Sequence, residues 1–260
     1  MFNNQKIVLT GANSGIGLEI LKLLAAQSDN LILAVDLNLD KINDFGKNVI
    51  GFKQDVSSRE GVDAIFDTAL SAMGGITHFF ANAGYPYYEA VDYVDWDRTK
   101  RIFETNVFSP IYSYEKFRAY LNGQNGHFAI TVSAIGKMAM PGFALYSSTK
   151  FAMQGFQQSI RLEMPENIKL TCLYPIATDT NFFKAANRYQ FEKPFPVQSP
   201  VVVARKMIKG LEKGKKSVSP SLLFSAGLVL FTVLPFTRTL YWNMEKAKLT
   251  RFLEKRKRGD

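Results

Sequence analysis

Short runs of apolar residues recur along the chain, with stretches of helix length between them. "KIVLTG" comes first and leads into a helix predicted from about Gly15 to Gln27. "NLILAVD" follows, then a helix-like segment, then "VIGFKQDV". A helix around Arg59 to Met73 precedes "ITHFFANAG", and a long one from about Trp96 to Leu121 precedes "HFAITVSA". Tyr146 to Met164 reads as helix, "IKLTCLYP" as another buried strand, and Pro200 to Lys213 as a further helix. Strands this continuously apolar, separated by helices, specify a parallel sheet covered on both faces. Right-handed crossovers then make an α/β, doubly wound, Rossmann-like domain, expected over residues 1–219.

Composition adds a boundary. With 260 residues, 47% of them hydrophobic, the chain can bury a sizeable core. The one cysteine, Cys172, lies in an apolar run and reads as an unreactive core residue. One cysteine excludes an internal disulfide framework, and His78 and His127 are too scattered to suggest a metal site. "MFNNQKIVLTG" is too short in its apolar part for a signal peptide and reads as a first strand, so a cytoplasmic location is expected.

Charge is uneven. Of the net +9, residues 205–260 carry +10 and the other 204 carry −1. That argues against a nucleic-acid channel spread over the fold and for one basic appendage, a helical C-terminal extension over 220–260.

Chemistry enters at "TGANSGIGLEI". Gly11, Gly15 and Gly17 fall in the turn between first strand and first helix. Missing side chains there let the backbone approach a pyrophosphate, and the helix start presents free N–H groups to it. Asp36 ends the second strand, where a carboxylate can accept the hydroxyls of an adenosine ribose and repel a 2′-phosphate. Neither Ser14 nor Leu37 supplies a compensating base, which favours NAD over NADP. Capping of the next segment is the alternative use of Asp36.

These motifs resemble the short-chain dehydrogenases/reductases, over about Lys6 to Ser219. "TGANSGIG" is similar to the family's coenzyme motif and implies that Gly11, Asn13, Ser14, Gly15, Ile16 and Gly17 surround the cofactor. The resemblance puts Asp55 and Val56 of "QDV" in the adenine pocket and matches Asn82, Ala83 and Gly84 to the family's NAG element. Asn106 in "FETNVFSP" matches an active-site asparagine. Ser133, Tyr146 and Lys150 match the catalytic serine and the YxxxK pair. "YPIATDT" resembles the loop that grips the nicotinamide, with Pro175, Thr178 and Thr180 in place and Ile176 where glycine is usual.

Tyr146 and Lys150 are four residues apart and so share one helix face. A free tyrosine titrates near ~10, too high for an efficient base at neutrality. A neighbouring ammonium and the nicotinamide cation are both expected to lower it. Tyr146 would then exchange a proton with an alcohol or carbonyl. By the resemblance, Ser133 would bond the substrate oxygen and Asn106 would hold a water linking Lys150 to solvent. Two other readings are an NADPH-dependent reductase of small carbonyl compounds and a regulatory protein that binds dinucleotide without catalysis.

"YPYYEA" (85–90) and "NFFKAANRYQFEKPF" (181–195), with Met138 and Met140, suggest an apolar pocket for a steroid-like or lipid alcohol or ketone. The same rings could instead pack a lid or a subunit contact. Lys137 and Lys184 are the candidate cations for an acidic substrate. The resemblance implies a homodimer or homotetramer paired through helices around Trp96–Leu121 and Tyr146–Met164. Beyond it, Leu222 to Phe236 would reach about 22 Å as a helix, short of a bilayer's ~30 Å hydrocarbon core. The stretch either packs on protein or dips into one leaflet at the inner face of a membrane, with 222–258 as the contact and "KRKR" at the headgroups.

Overall fold

The computed structural model describes residues 3–187 and 189–258. Seven parallel strands form one sheet: β1 (Lys6–Thr10), β2 (Leu31–Asp36), β3 (Val49–Lys53), β4 (His78–Ala81), β5 (Gly126–Thr131), β6 (Ile168–Leu173) and the two-residue β7 (Ser217–Val218). Their order is β3-β2-β1-β4-β5-β6-β7. The chain winds outward from β1 to β3, then returns to the other side of β1. This reversal opens a crevice at the carboxyl ends of β1 and β4, where doubly wound sheets bind ligands.

Alternation along each strand sends neighbours to opposite faces, and both faces are covered. Val8, Leu33, Phe79, Phe128 and Leu170 pack with α2 (Arg59–Met73), α4 (Ser109–Leu121) and α5 (Ala144–Glu163). Ile7, Leu9, Ile32 and Phe80 pack with α1 (Gly15–Ala25) and α7 (Pro200–Glu212), the latter preceded by the short α6 (Phe182–Ala186). Helix limits follow local chemistry. Ser58 accepts a bond from the Gly61 N–H at 3.0 Å to start α2, and left-handed Gly74 ends it.

Two expectations change. The segment after β2 forms turns, not a helix: Asn38 Oδ1 takes the Asp40 N–H at 2.9 Å, competing with helical bonding. The long helix predicted over 96–121 divides into α3 (Trp96–Phe103), a π turn (Glu104–Phe108) and α4. Pro110 has no N–H to return to the carbonyl of Asn106, and its ring crowds that carbonyl, so a regular α turn cannot continue there.

His78 and His127, distant in sequence, are register partners on β4 and β5 with ring centroids 5.7 Å apart. Cys172 is fully buried, and burial pushes its thiol up to about 11. Past β7 come α8 (Leu222–Val233) and α9 (Pro235–Arg258), split at Leu234, whose non-helical backbone suits the residue before a proline. Phe224, Leu228, Phe231, Tyr241, Leu249 and Phe252 pack these helices onto a third apolar cluster beside the sheet, around Tyr88, Phe143 and Tyr146. The Trp242 indole donates to the Ala139 carbonyl at 2.9 Å. Among the described residues, no helix is long and apolar enough to cross a membrane.

Candidate active site

Six strand ends, those of β1 to β6, deliver candidate residues to one crevice. After β1, Gly11 has φ of 69° and Gly15 of 55°, left-handed values that favour glycine. A Cβ on Gly17 would lie 1.9 Å from the Gly11 carbonyl oxygen, so the turn closes only around glycine. After β4, Asn82 locks this turn to the sheet. Its Nδ2 donates to the Thr10 and Gly11 carbonyls at 3.2 and 3.3 Å, while its Oδ1 accepts from the Thr131 hydroxyl at 2.9 Å.

Asp36 faces the same crevice. Its carboxylate accepts from the backbone N–H groups of Asn13 at 2.9 Å and Leu37 at 2.8 Å. The bracing role and the ligand-facing position thus coexist. Asn13 supports that brace and accepts from Lys41 N–H at 2.8 Å, without itself reaching the crevice wall. Asp55, Val56, Ala83, Gly84 and Ile16 do line it.

Ser133, two residues past β5, has φ of 92°, a strained conformation for any residue with a side chain. Its Oγ donates to the Pro175 carbonyl at 3.4 Å and accepts from Ile135 N–H at 3.3 Å. Tyr146, in the first turn of α5, is buried. That burial raises its phenol well above the ordinary range, and a hydrogen bond with Ser133 opposes the rise. Lys150 is also buried, which pushes it down to about 8. Its Nζ donates to the Thr131 carbonyl at 3.0 Å and lies 5.5 Å from the centre of the Tyr146 ring. The lowering expected of Tyr146 is therefore not seen: desolvation dominates, and what opposes it is the bond with Ser133 rather than Lys150.

Asn106 sits on the π turn with its amide fully engaged. Oδ1 accepts from Tyr85 N–H at 3.1 Å; Nδ2 donates to the Tyr85 carbonyl at 2.9 Å and the Thr149 hydroxyl at 3.2 Å. Thr149 in turn donates to the Tyr146 carbonyl at 2.7 Å. Asn106 and Lys150 thus stand behind the wall, and Ser133 and Tyr146 form it. Thr131 and Thr149 were missed as supports, although Thr149 lies inside "YSSTK".

The crevice and the apolar cluster join in one pocket of about 540 Å³. It runs from Asp36 and Asp55, past the glycine turn, to Ser133 and Tyr146. Beyond them it continues between Met138, Met140, Phe182, Phe183 and Phe195. Pro175, Ile176, Thr178 and Thr180 close one side. Phe224 of α8 and Tyr241 of α9 reach its far end, which no motif had indicated. Of the "YPYYEA" rings only Tyr85 lines the pocket; Tyr87 stacks on Arg98 and Tyr88 on Phe191. Pocket wall and packing are thus both served by the aromatic segments. Lys137 lies 4.0 Å over the Tyr174 ring, outside the pocket wall, and the Lys184 side chain lies outside the described residues. Arg101 is the sole Lys or Arg among the described lining residues.

A dinucleotide fits this donor set. The glycine turn admits backbone approach, a carboxylate stands at one end where a ribose would lie, and two hydroxyls meet at the other end.

Comparison with known proteins agrees. The family model for short chain dehydrogenases matches residues 5–190. SadH of Mycobacterium tuberculosis, named only as an oxidoreductase, is 27% identical over 90% of this chain and 92% of its own. Mouse 17-beta-hydroxysteroid dehydrogenase 13 is 26% identical over 87% of this chain and 77% of its own. A Burkholderia phymatum short chain dehydrogenase/reductase solved with NAD superposes with a TM-score of 0.80 at 19% identity, covering 91% and 96% of the two chains. Other matching structures hold NADP. The glycine turn, the serine–tyrosine–lysine set and the sheet order together with these matches place the chain in the short-chain dehydrogenase/reductase family.

Proposed function

We propose that the protein is an NAD-linked oxidoreductase interconverting an apolar secondary alcohol and its ketone. The observation that carries this reading is the meeting of Ser133 and Tyr146 at the junction of a glycine-lined crevice and an apolar pocket. When bound, the nicotinamide supplies the hydride donor or acceptor. Ser133 Oγ holds the substrate oxygen, and Tyr146 Oη passes its proton to a carbonyl or takes one from an alcohol. Burial keeps the phenol protonated, which suits reduction. Oxidation then depends on the positive nicotinamide to favour the phenolate, with Lys150 adding to it. Pro110 withholds an α-helical donor from the Asn106 carbonyl, which would serve as the acceptor for a water that relays protons from Lys150.

Family membership leaves the nucleotide open, so the preference for NAD rests on Asp36 and on the cation-poor lining around it. Methionine and phenylalanine side chains argue for an apolar substrate, and hydroxysteroid dehydrogenases among the relatives are consistent with a steroid-like one. Exposed Trp96, Phe108, Phe151 and Leu162 on α3, the π turn and α5 support subunit pairing through those elements.

Fluorescence titration of NADH against NADPH tests the cofactor reading. Wild type should bind NADH more tightly, and Asp36→Ala should narrow the gap. Because Asp36 also braces two backbone N–H groups, melting temperature is followed alongside. A wild-type preference for NADPH overturns the reading. A screen of steroids, long-chain alcohols and small ketones identifies the substrate.

A further inference from the structure

We propose that the outward face of α8 and the first turns of α9 dock on an anionic lipid surface, bringing the mouth of the substrate pocket against it. Helix α8 is apolar on all sides. A helix of that kind is ordinarily enclosed on all sides, as in a protein core or a bilayer. Here one side is enclosed. Phe224, Leu228 and Phe231 pack inward, while Leu222, Val229 and Val233 are 81%, 65% and 69% exposed. The apolar strip continues through Leu234 into α9, where Phe236, Leu240 and Met244 recur every four residues on one outward face.

Charge identifies the partner. No charged residue occurs from Ser217 to Thr237, whereas α9 carries eight Lys/Arg and two Glu. One of those acids, Glu245, is buried against Lys248 at 2.9 Å. The outward face of α9 thus changes along its length, from Phe236, Leu240 and Met244 to Arg251, which pairs with Glu192 at 3.0 Å, with Lys255 and Lys257 exposed on its flanks. An apolar wedge beside a cationic shoulder matches an acyl layer beside anionic headgroups. A second copy would instead bring another strongly basic α9 to the contact, which like charges disfavour.

Position gives the docking a use. Phe195, Phe224 and Tyr241 line the far end of the pocket, and the Tyr241 hydroxyl donates to the Phe195 carbonyl at 2.8 Å. With Phe195 61% exposed, we place the mouth at this end, beside the strip, where an apolar substrate would pass between lipid and pocket without crossing water. This last step rests on the proposed substrate class; the docking itself does not.

Flotation of the full chain with vesicles tests the docking. Protein should float with phosphatidylcholine–phosphatidylserine vesicles, float less with pure phosphatidylcholine, and be released by salt. The double variant Val229→Glu/Leu240→Glu, at two exposed side chains that do not line the pocket, should lose roughly ten-fold or more in vesicle binding, since charges resist burial in hydrocarbon. Its NADH binding and its turnover of a water-soluble secondary alcohol should be retained. An apolar alcohol carried in the anionic vesicles should be turned over faster by wild type than by this variant. Absence of binding to anionic vesicles at low salt overturns the docking, as does binding indifferent to both glutamates. If the glutamates instead dissociate an oligomer that ignores vesicles, a second copy covers the face and the proposal fails. Equal turnover of the vesicle-borne alcohol by wild type and variant overturns the placement of the mouth. Vesicle binding is read without any substrate, so an error in the substrate class leaves the docking result standing.

Discussion

Replacing Gly17 by alanine tests whether the turn after β1 is the cofactor cradle. The added methyl would lie 1.9 Å from the Gly11 carbonyl oxygen and 2.7 Å from Asn82 Nδ2. Ordinary van der Waals separations are about 3.5 Å, so something must move by roughly 1.5 Å. Neither neighbour is a free side-chain end. One is backbone, and the other is held by Thr10, Gly11 and Thr131. Overpacking of this kind costs about 1–3 kcal/mol, and the turn that would meet the pyrophosphate absorbs it. At 1.4 kcal/mol per decade, NADH affinity should fall about ten- to hundred-fold, with a lower melting temperature. Gly155→Ala is the control. It lies within α5 with no atom within 4 Å of the added carbon, and should gain about 0.5–1 kcal/mol of stability. Fluorescence titration and thermal melts read both variants. Gly17→Ala binding NADH within about two-fold of wild type would refute the cradle.

Burial lowers His78 from 6.5 to about 3 and His127 from 6.5 to about 4. Stability held above pH 6.5 should therefore fall as pH drops toward those values, because the unfolded chain binds the protons first. His127→Gln should flatten that acid limb in urea melts; an unchanged slope contradicts the assignment. For subunit pairing, Phe108→Glu with Phe151→Glu should lower the sedimentation coefficient of an otherwise dimeric or tetrameric protein, and a wild-type monomer at micromolar concentration rejects the pairing.

Legibility followed the range of the interactions. Strands such as "KIVLTG" and "IKLTCLYP" were readable because a sheet covered on both faces needs no alternation. The glycine turn was readable because close approach forbids side chains. Asn106 could be matched to a family position, but its bonds to Tyr85 and Thr149 span 21 and 43 residues and no local pattern announces them. The interruption at Pro110 did have a local signal, masked by the helical character on either side. Past β2, short polar side chains took backbone donors that a helix would have needed. The upward direction of Tyr146 depends on its enclosure, which spacing from Lys150 does not report. Phe224 and Tyr241 reach the pocket from beyond the residues that the family pattern covers.

Tyr146→Phe tests the central claim most directly, since it removes one hydroxyl and leaves the glycine turn and Asp36 untouched. With any alcohol or ketone found in the screen, kcat should fall ~10²-fold or more, the usual worth of a general acid or base, while NADH still binds within a few-fold. A variant that keeps more than about a tenth of wild-type kcat would show that the proton moves through another group.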